Sequence, residues 1–238
     1  MTTDLAPSEA APYRTAPPVR TRTALSTGSL DNIHARWVMP EIFHDLPVTV
    51  EDDGETIRIL EELSDRALPG ASEDDRTRFA VVCALGLDDL IALGVEYAGV
   101  CVAAFDDTPC TATVLATLVD SPEGAVAPVR TLASDLRRVS AGEVTEIDLP
   151  CGPAVSCVGT RQERMSGEMM HAGAPLAFPT AFIRVYVPLP NASTLVMEMC
   201  TPTMVGWDAF STMFGNIVSS IRLFHADGSS LIVPGAQR

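Results

Sequence analysis

The stretch of residues 181–224 decides the fold of this chain. It reads AFIRVYV (181–187), PLPNAS (188–193), TLVMEMC (194–200) and GWDAFSTMFGNIVSSI (206–221), which predicts two strands, the turn between them and a helix. The second strand alternates, with Leu195, Met197 and Met199 on one face. The helix spaces its large apolar residues in steps of three and four: Trp207, Phe210, Met213, Phe214, Ile217, Val218 and Ile221. This apolar face is expected to cover one side of a sheet.

Length and composition indicate a globular protein with a hydrophobic core. The chain has 238 residues, of which 47% are hydrophobic and 20% are charged, and this length suits one large domain or two small ones. Residues 1–36 are rich in Pro, Ala and Thr and poor in large apolar side chains, which predicts a disordered tail. No internal repeat or linker divides the remainder, so residues 37–238 are predicted to form a single α+β domain.

The charge balance argues against two classes of partner. The chain carries 16 basic and 31 acidic residues, a net charge of −15, and every basic residue is Arg. Binding to a nucleic-acid backbone depends on basic side chains that displace counterions, and an anionic membrane surface attracts the same residues. We therefore expect no nucleic-acid partner and no membrane partner, whereas a basic protein partner is compatible with this charge.

The six cysteines are predicted to be reduced and packed. Four of them stand inside apolar runs (VVCAL, GVCVA, SCVG and MEMC), and free cysteine is among the most buried residue types. Residues 1–30 contain no apolar segment typical of a secretory signal, and no apolar run reaches the length that spans a bilayer. These features predict a cytoplasmic protein.

The remaining segments predict helices and strands in a definite order. The predicted helices are residues 56–68, 73–94 and 125–140, with Ser72 as the N-cap of the second. The predicted strands are residues 95–105, 110–119, 143–149 and 154–165, followed by the closing hairpin and by a short strand within residues 223–235. Residues 37–50, with large apolar side chains around two prolines, are expected to be irregular. Residues 166–178 have no period and predict a loop.

The fold class follows from the first two predicted strands. Residues 95–105 and 110–119 are apolar on both faces, as strands are when a sheet is covered on both sides. The predicted fold is therefore α+β: an antiparallel sheet of about six strands covered by helices on both faces, in three layers.

Four phrases of the sequence resemble a known family. FHDLPV (43–48), LPCGPAV (149–155), VYVPLPN (185–191) and FSTMFGNIVSSIRLF (210–224) are similar to sequences of an uncharacterised family of actinobacterial cytoplasmic proteins. The fold of that family looks similar to the Mog1/PsbP α/β/α sandwich, and the resemblance covers about residues 40–225. It implies a binding or assembly factor without catalytic activity. The region before residue 94 departs from the compact family core, which leaves open an unrelated fold, such as that of chaperones holding substrates of specialised secretion systems.

The residue types that carry chemistry form no recognisable motif. No cysteine lies within four residues of any of the four histidines, and the spacing of Cys151 and Cys157 matches no zinc motif. No nucleophile elbow, P-loop or dinucleotide-binding fingerprint is present. We assign no catalytic, cofactor-binding or metal-binding residue, and we expect no cofactor.

One Cys–His pair stays open as a nucleophile and its base. Cys151, in a Pro-Cys-Gly-Pro turn, is expected to be the most exposed thiol, and His171 lies in the nearest loop. Such pairs meet only in space, and the alternative is a surface turn residue and a loop histidine. The acidic pairs are predicted to be solvated surface rather than Ca²⁺ or Mg²⁺ ligands: Asp52-Asp53, Asp74-Asp75, Asp88-Asp89 and Asp106-Asp107.

Two segments are candidate partner surfaces. WVMPEIF (37–43) and SGEMMHAGAPLAF (166–178) carry Met or aromatic residues outside a regular period, and methionine adapts to varied partners. The alternative is that both segments fold back over the sheet edge and cover the core.

The leading interpretation is a non-enzymatic cytoplasmic protein that binds another protein through its sheet and these segments. One alternative is a carrier of a small apolar molecule, with a pocket lined by Met165, Met169, Met197 and Met199. Another alternative is a hydrolase whose nucleophile is not recognised. The sequence leaves the partner and the oligomeric state open.

Overall fold

A computed structural model describes residues 18–26, 32–105, 107–121, 126, 128–165 and 176–231. Within these residues the chain forms ten strands, four α-helices and one 3₁₀ turn. The strands are β1 Val19–Ser26, β2 Ile33–Pro40, β3 His44–Asp45, β4 Val95–Phe105, β5 Thr108–Asp120, β6 Glu143–Leu149, β7 Gly152–Met165, β8 Leu176–Pro188, β9 Ser193–Thr201 and β10 Arg222–His225. The helices are α1 Asp53–Ala67, α2 Glu73–Ala92, α3 Val129–Val139 and α4 Trp207–Ser219, and the 3₁₀ turn is Met204–Gly206.

Seven strands form the main sheet, in the order β3-β4-β5-β9-β8-β7-β6, and all neighbouring pairs are antiparallel. The predicted α+β class and the antiparallel sheet are confirmed in the described residues. Three pairs of strands follow each other in the chain and are joined by short turns into hairpins: β4–β5, β6–β7 and β8–β9. In the β4–β5 turn Asp107 has a φ of 59°, a conformation that Asp adopts more readily than most residues.

Strands β1, β2 and β10 form a second, small sheet. The predicted disordered tail over residues 1–36 is therefore wrong for residues 19–26 and 33–36. The predicted irregular segment is wrong for residues 37–40 and also for residues 44–45, which form β3 of the main sheet. Residues 1–17 and 27–31 lie outside the described residues. Composition predicted no structure for residues 33–36 because only alternate residues of β2 face the core. These residues are each at most 1% exposed: Ile33, Ala35, Trp37 and Met39. The strand β10 that pairs with β2 is remote in sequence, so no local pattern reveals the pairing.

The main hydrophobic cluster lies between the main sheet, the small sheet and α4. Strand register places Val114, Met199 and Ile183 side by side on this face of β5, β9 and β8. The helix predicted to cover the sheet does so, with four large residues buried: Phe210, Phe214, Ile217 and Val218.

Helices α1, α2 and α3 lie on the opposite face of the main sheet. Leu63 of α1 clusters with Val100, and Leu87 of α2 clusters with Ala98, so both helices cover β4. Ser140, which ends α3, lies 2.9 Å (Oγ to Sγ) from Cys157 of β7. The register from β7 through β8, β9 and β5 to β4 puts Cys157 on the same face as Ala98. The three layers are thus α1–α3, the main sheet, and α4 with the small sheet.

Local signals decide where α1 and α2 begin and end. Asp52 caps α1 by accepting a hydrogen bond from the backbone N–H of Glu55 at 2.7 Å, so this helix begins at Asp53 and not at the predicted residue 56. Ser72 caps α2 as predicted, through the N–H of Asp75. Gly94 follows α2 with a φ of 68°, where glycine pays no steric cost.

Other predicted boundaries differ from the structure, by two residues at the starts of β5 and β7 and by more at α3 and β8. Helix α3 begins at Val129 instead of residue 125, directly after Pro128. Strand β8 begins at Leu176, so residues 176–178 of the predicted loop are strand, and residues 166–175 lie outside the described residues. None of the helices in the described part of the chain combines the length and the apolarity needed to cross a membrane.

Candidate functional site: the α1–α2 surface

Helix α2 buries much less of its apolar surface than its sequence suggests. The spacing of its apolar residues predicts an inward face of Phe79, Val82, Cys83, Leu87, Leu90 and Ile91, yet Leu87 is the one buried residue of the helix. The prediction is wrong for Val82 and Ile91, which are 42% and 46% exposed. The helix is apolar around most of its circumference between residues 79 and 93, and the sheet can cover only one side of it.

The apolar residues left outside cluster on the α1–α2 helix pair. Six large side chains there are between 42% and 72% exposed: Ile57, Val81, Val82, Leu85, Ile91 and Leu93. Single exposed apolar residues are normal on a protein surface, whereas contiguous groups of them mark sites of interaction.

A groove of about 510 Å³ runs between the two helices, and two of the six exposed side chains, Ile57 and Val81, line it. Its lining follows helical spacing on both walls, with Ile57, Leu60, Glu61, Ser64 and Asp65 from α1 and Glu73, Arg76, Thr77, Ala80, Val81 and Ala84 from α2. Three small side chains of α2 line the middle and far part of the groove: Thr77, Ala80 and Ala84. We call the groove together with the six exposed side chains the α1–α2 surface.

The groove has an apolar part and a charged part. Ile57, Val81 and Ala84 form the apolar part. Near the α1–α2 turn, Asp65 and Arg76 form an ion pair with 2.7 Å between Oδ1 and Nη1. Glu61 and Glu73 also line the groove, and within the described residues neither forms an ion pair. This surface can therefore bind apolar and positively charged groups together.

A second polar cluster lies on the face of the main sheet that carries α1, α2 and α3. Glu198 of β9 lies opposite Arg184 of β8 and accepts a hydrogen bond from its Nε at 2.5 Å, and Arg161 of β7 reaches the same carboxylate at 2.8 Å. Both guanidinium groups also lie near the ring of Phe182, 5.4 and 5.7 Å from its centroid. Burial alone would lower the pKa of Arg161, but the hydrogen bond and the charge of Glu198 outweigh it and raise the pKa. The cluster is charge-balanced once Glu163, which pairs with Arg161, is included, so it holds the strands together rather than offering a free charge.

A third polar group joins the two sheets. Asp45 of β3 accepts hydrogen bonds from the Tyr97 phenol at 3.0 Å and from Nε of Arg22 at 3.1 Å. Burial, and then the neighbouring Asp45 carboxylate, raises the pKa of Tyr97. At His44, burial and then the charges of Arg66 and Arg20 lower the pKa, which favours the neutral imidazole. Arg22, Asp45 and Tyr97 are occupied with one another, whereas Nδ1 of His44 is buried without a hydrogen-bond partner among the described residues. No nucleophile–base pair is formed by these four side chains.

The Cys–His pair considered from the sequence does not gain support. Cys151 is 6% exposed and belongs to the main hydrophobic cluster, so the prediction of an exposed thiol is wrong. Burial raises the pKa of Cys151 to about 11, which keeps the thiol neutral and a poor nucleophile at neutral pH. The turn residues around it bury the side chain because β6 and β7 form a hairpin over the core. His171 lies outside the described residues.

The acidic pairs have local roles where they are described. Asp52 caps α1, and Asp74 and Asp75 fill the first turn of α2. Asp88 and Asp89 are exposed on α2, while Asp106 lies outside the described residues. Across the described ranges, no group of three or more His, Cys, Asp or Glu side chains could hold a metal ion.

The first of the two segments considered as partner surfaces has a different role. Trp37, Met39 and Phe43 are each 1% exposed, so residues 37–43 cover the core, the alternative that the sequence left open. Residues 166–175 lie outside the described residues. Met197 and Met199, expected to line a carrier pocket, are fully buried in the main cluster. The side chain of Met165 and the whole of Met169 are outside the described part.

Comparison with known proteins adds little to this geometry. No protein-family model matches the chain, and no curated protein matches it. Among solved structures, the crystal structure of LpqN, involved in cell envelope biogenesis of Mycobacterium tuberculosis, is similar over 86% of this chain and 91% of that chain, with a TM-score of 0.40 and 11% identity. Likeness at this level establishes neither a shared family nor a shared function, and the Mog1/PsbP-like sandwich stays a prediction.

Proposed function

We propose that this chain is a cytoplasmic, non-enzymatic protein-binding domain whose docking site is the α1–α2 surface. The observation that carries the proposal is the set of six exposed apolar side chains on one helix pair, two of which, Ile57 and Val81, line the groove between the helices. The docking site differs from the one expected from the sequence, because residues 37–43 are used for core packing.

The energetics of the surface support a protein partner. Burying a large aliphatic side chain completely contributes about 1.5–3 kcal/mol. Val81, Leu85 and Ile57 are each about half exposed (50%, 46% and 59%), so covering them contributes about 1 kcal/mol apiece. A partner that covers the whole surface gains several such terms, which is the scale on which a few residues dominate protein binding.

Charge and thiol chemistry support the other parts of the proposal: a protein partner, a cytoplasmic location and a role in binding rather than catalysis. The net charge of −15 opposes nucleic acid and anionic membranes and favours a partner with basic groups. All six cysteines are free thiols, as expected of a protein in a reducing compartment. The only cysteine singled out as a nucleophile, Cys151, is buried and neutral, which favours a binding role over a hydrolytic one.

Site-specific photocrosslinking in the native cell tests the proposal. A photoreactive amino acid replaces Val81 or Leu85, and the control replaces Val139, which is 82% exposed at the end of α3. We expect one identified protein to crosslink at positions 81 and 85 and not at 139. The same product should disappear when Ile57→Asp places a charge in the groove. Equal products at all three positions, or none at positions 81 and 85, would contradict the proposed function.

A further inference from the structure

The walls of the groove restrict the secondary structure of the docking segment. Both walls are α-helices, whose backbone groups are bonded within each helix, so the groove contains no free strand edge. An extended segment lying there would bury its own N–H and C=O groups against Ile57, Val81 and Ala84 without partners. A helical segment satisfies these groups internally. The groove therefore favours a helix.

The length of the groove restricts the length of that helix. The lining extends from Ile57 to Asp65 on α1 and from Glu73 to Ala84 on α2. At about 1.5 Å per residue these walls are about 12 and 17 Å long. Such a length is matched by roughly two to three helical turns. The small side chains of Ser64, Ala80 and Ala84 allow the docked helix to approach closely.

The charges of the groove restrict the sequence of the helix. Asp65 already pairs with Arg76, but Glu61 and Glu73 are exposed and form no ion pair with any described residue. A docked Lys or Arg near these carboxylates is complementary to them. A second copy of this chain would instead bring the same carboxylates face to face, in a protein of net charge −15.

We infer that the α1–α2 groove binds an amphipathic, basic helix of a partner protein, with apolar side chains against Ile57 and Val81 and a Lys or Arg near Glu61 and Glu73. This inference rests on the proposed function and names the kind of partner that the same surface takes. The partner's apolar and basic residues lie about one turn apart, because Ile57 and Glu61 are neighbours at i and i+4 on α1.

Model peptides test the inference with the full-length protein. The probe is an amphipathic peptide of about 14 residues with Leu on one face and Lys on its flanks, compared with the same peptide carrying Glu for Lys and with one carrying a central Pro. We expect only the Leu/Lys helix to bind in calorimetric titrations. Glu61→Gln with Glu73→Gln should weaken its binding about fivefold, and Val81→Asp at least tenfold.

A matched charge control separates the groove from general attraction to an acidic protein. Glu96→Gln with Glu143→Gln changes the net charge equally at exposed positions outside the groove, and this variant should bind the Leu/Lys peptide within about twofold of the wild type. Circular dichroism and thermal unfolding confirm that each variant is folded.

Several outcomes overturn the inference. They are equal losses in the two charge variants, no binding of the Leu/Lys peptide, or equal binding of the Glu or Pro peptide. A concentration-dependent dimer that Val81→Asp abolishes would identify a second copy as the occupant, and crosslinking of position 81 to residues 1–17 would identify the chain's own N-terminal segment. A cellular partner that crosslinks at position 81 through an extended or acidic segment would support the proposed function and contradict the inferred basic helix alone.

Discussion

The side chain of Tyr97 lies across the backbone of Gly99, two residues further along β4. A Cβ added at Gly99 would overlap the phenol oxygen of Tyr97, so the missing side chain makes room for the ring. In this position the phenol reaches Asp45 at 3.0 Å and the ring packs edge to face against Trp37, with 5.7 Å between centroids. The absence of a Cβ at Gly99 thus allows Tyr97 of the main sheet to contact Trp37 of the small sheet.

Gly99→Ala should destabilise the protein by about 2 kcal/mol, because the new Cβ displaces a ring fixed from two sides. Urea unfolding followed by fluorescence measures the change. The control is Gly86→Ala in α2, where nothing lies within 4 Å of the added Cβ. This control should stabilise the helix by about 0.5–1 kcal/mol. Wild-type stability in Gly99→Ala would show that the ring moves aside at no cost.

Glu198→Gln should cost about 2 kcal/mol of unfolding free energy, since the charged acceptor of two guanidinium groups is lost. The Glu198 side chain is 7% exposed, while those of Arg161 and Arg184 are 33% and 35% exposed, so water offsets part of the loss. The control Glu163→Gln, whose side chain is 40% exposed, should change stability by less than about 1 kcal/mol. Equal effects in the two variants would contradict a special role for the buried carboxylate.

Removal of residues 1–26 should lower the unfolding free energy by about 2 kcal/mol or more, because it deletes β1. This strand pairs with β2 along its whole length, buries Ala24 and supplies Arg22 to Asp45. Removal of residues 1–17 leaves β1 in place and serves as the control. If the two truncated proteins are equally stable in urea, β1 contributes nothing and residues 18–26 behave as the tail predicted from composition.

Stability should fall as the pH rises from about 9 to about 11, because buried thiols keep their protons in the folded state. Burial raises the pKa of Cys83 and Cys151 to about 11 and that of Cys101 to about 12, against 9.0 for an unperturbed thiol. The unfolded chain loses these protons first, so each thiol lowers the unfolding free energy by about 1.4 kcal/mol per pH unit in this range.

Urea unfolding at several pH values between neutral and about 10.5 measures this slope. The control variant Cys101→Ala removes one thiol and should reduce the slope by about a quarter of the thiol contribution, since burial raises the pKa of four thiols, those of Cys83, Cys101, Cys151 and Cys200. A stability that stays level or rises over this range would contradict the burial of these groups.

Much of the fold could be predicted because its signals are local. The cap at Ser72 and the glycine at position 94 delimit α2, and the alternation of Leu195, Met197 and Met199 indicates a strand with one buried face. The small sheet could not be predicted, because β2 pairs with β10 from the far end of the sequence. Neither could the Arg161–Glu198 contact, which crosses an intervening strand.

The α1–α2 surface was missed for a different reason. A helix that is apolar around most of its circumference, as α2 is from Phe79 to Leu93, does not indicate which side its sheet will cover. Val82 and Ile91 were predicted to face inward on period alone, and both are exposed. The one available signal was the excess of apolar residues over what a single buried stripe needs.

By itself the sequence determined the fold class and the elements from α1 onward, because period, caps and turn residues act over a few positions and do not depend on the rest of the chain. Tertiary structure alone decided which apolar side chains are core and which remain on the surface, because burial depends on the number of faces that neighbouring layers can cover. Trp37 is buried by strands and a helix remote from it in sequence, while Val81 stays exposed because α2 has the sheet on one side only.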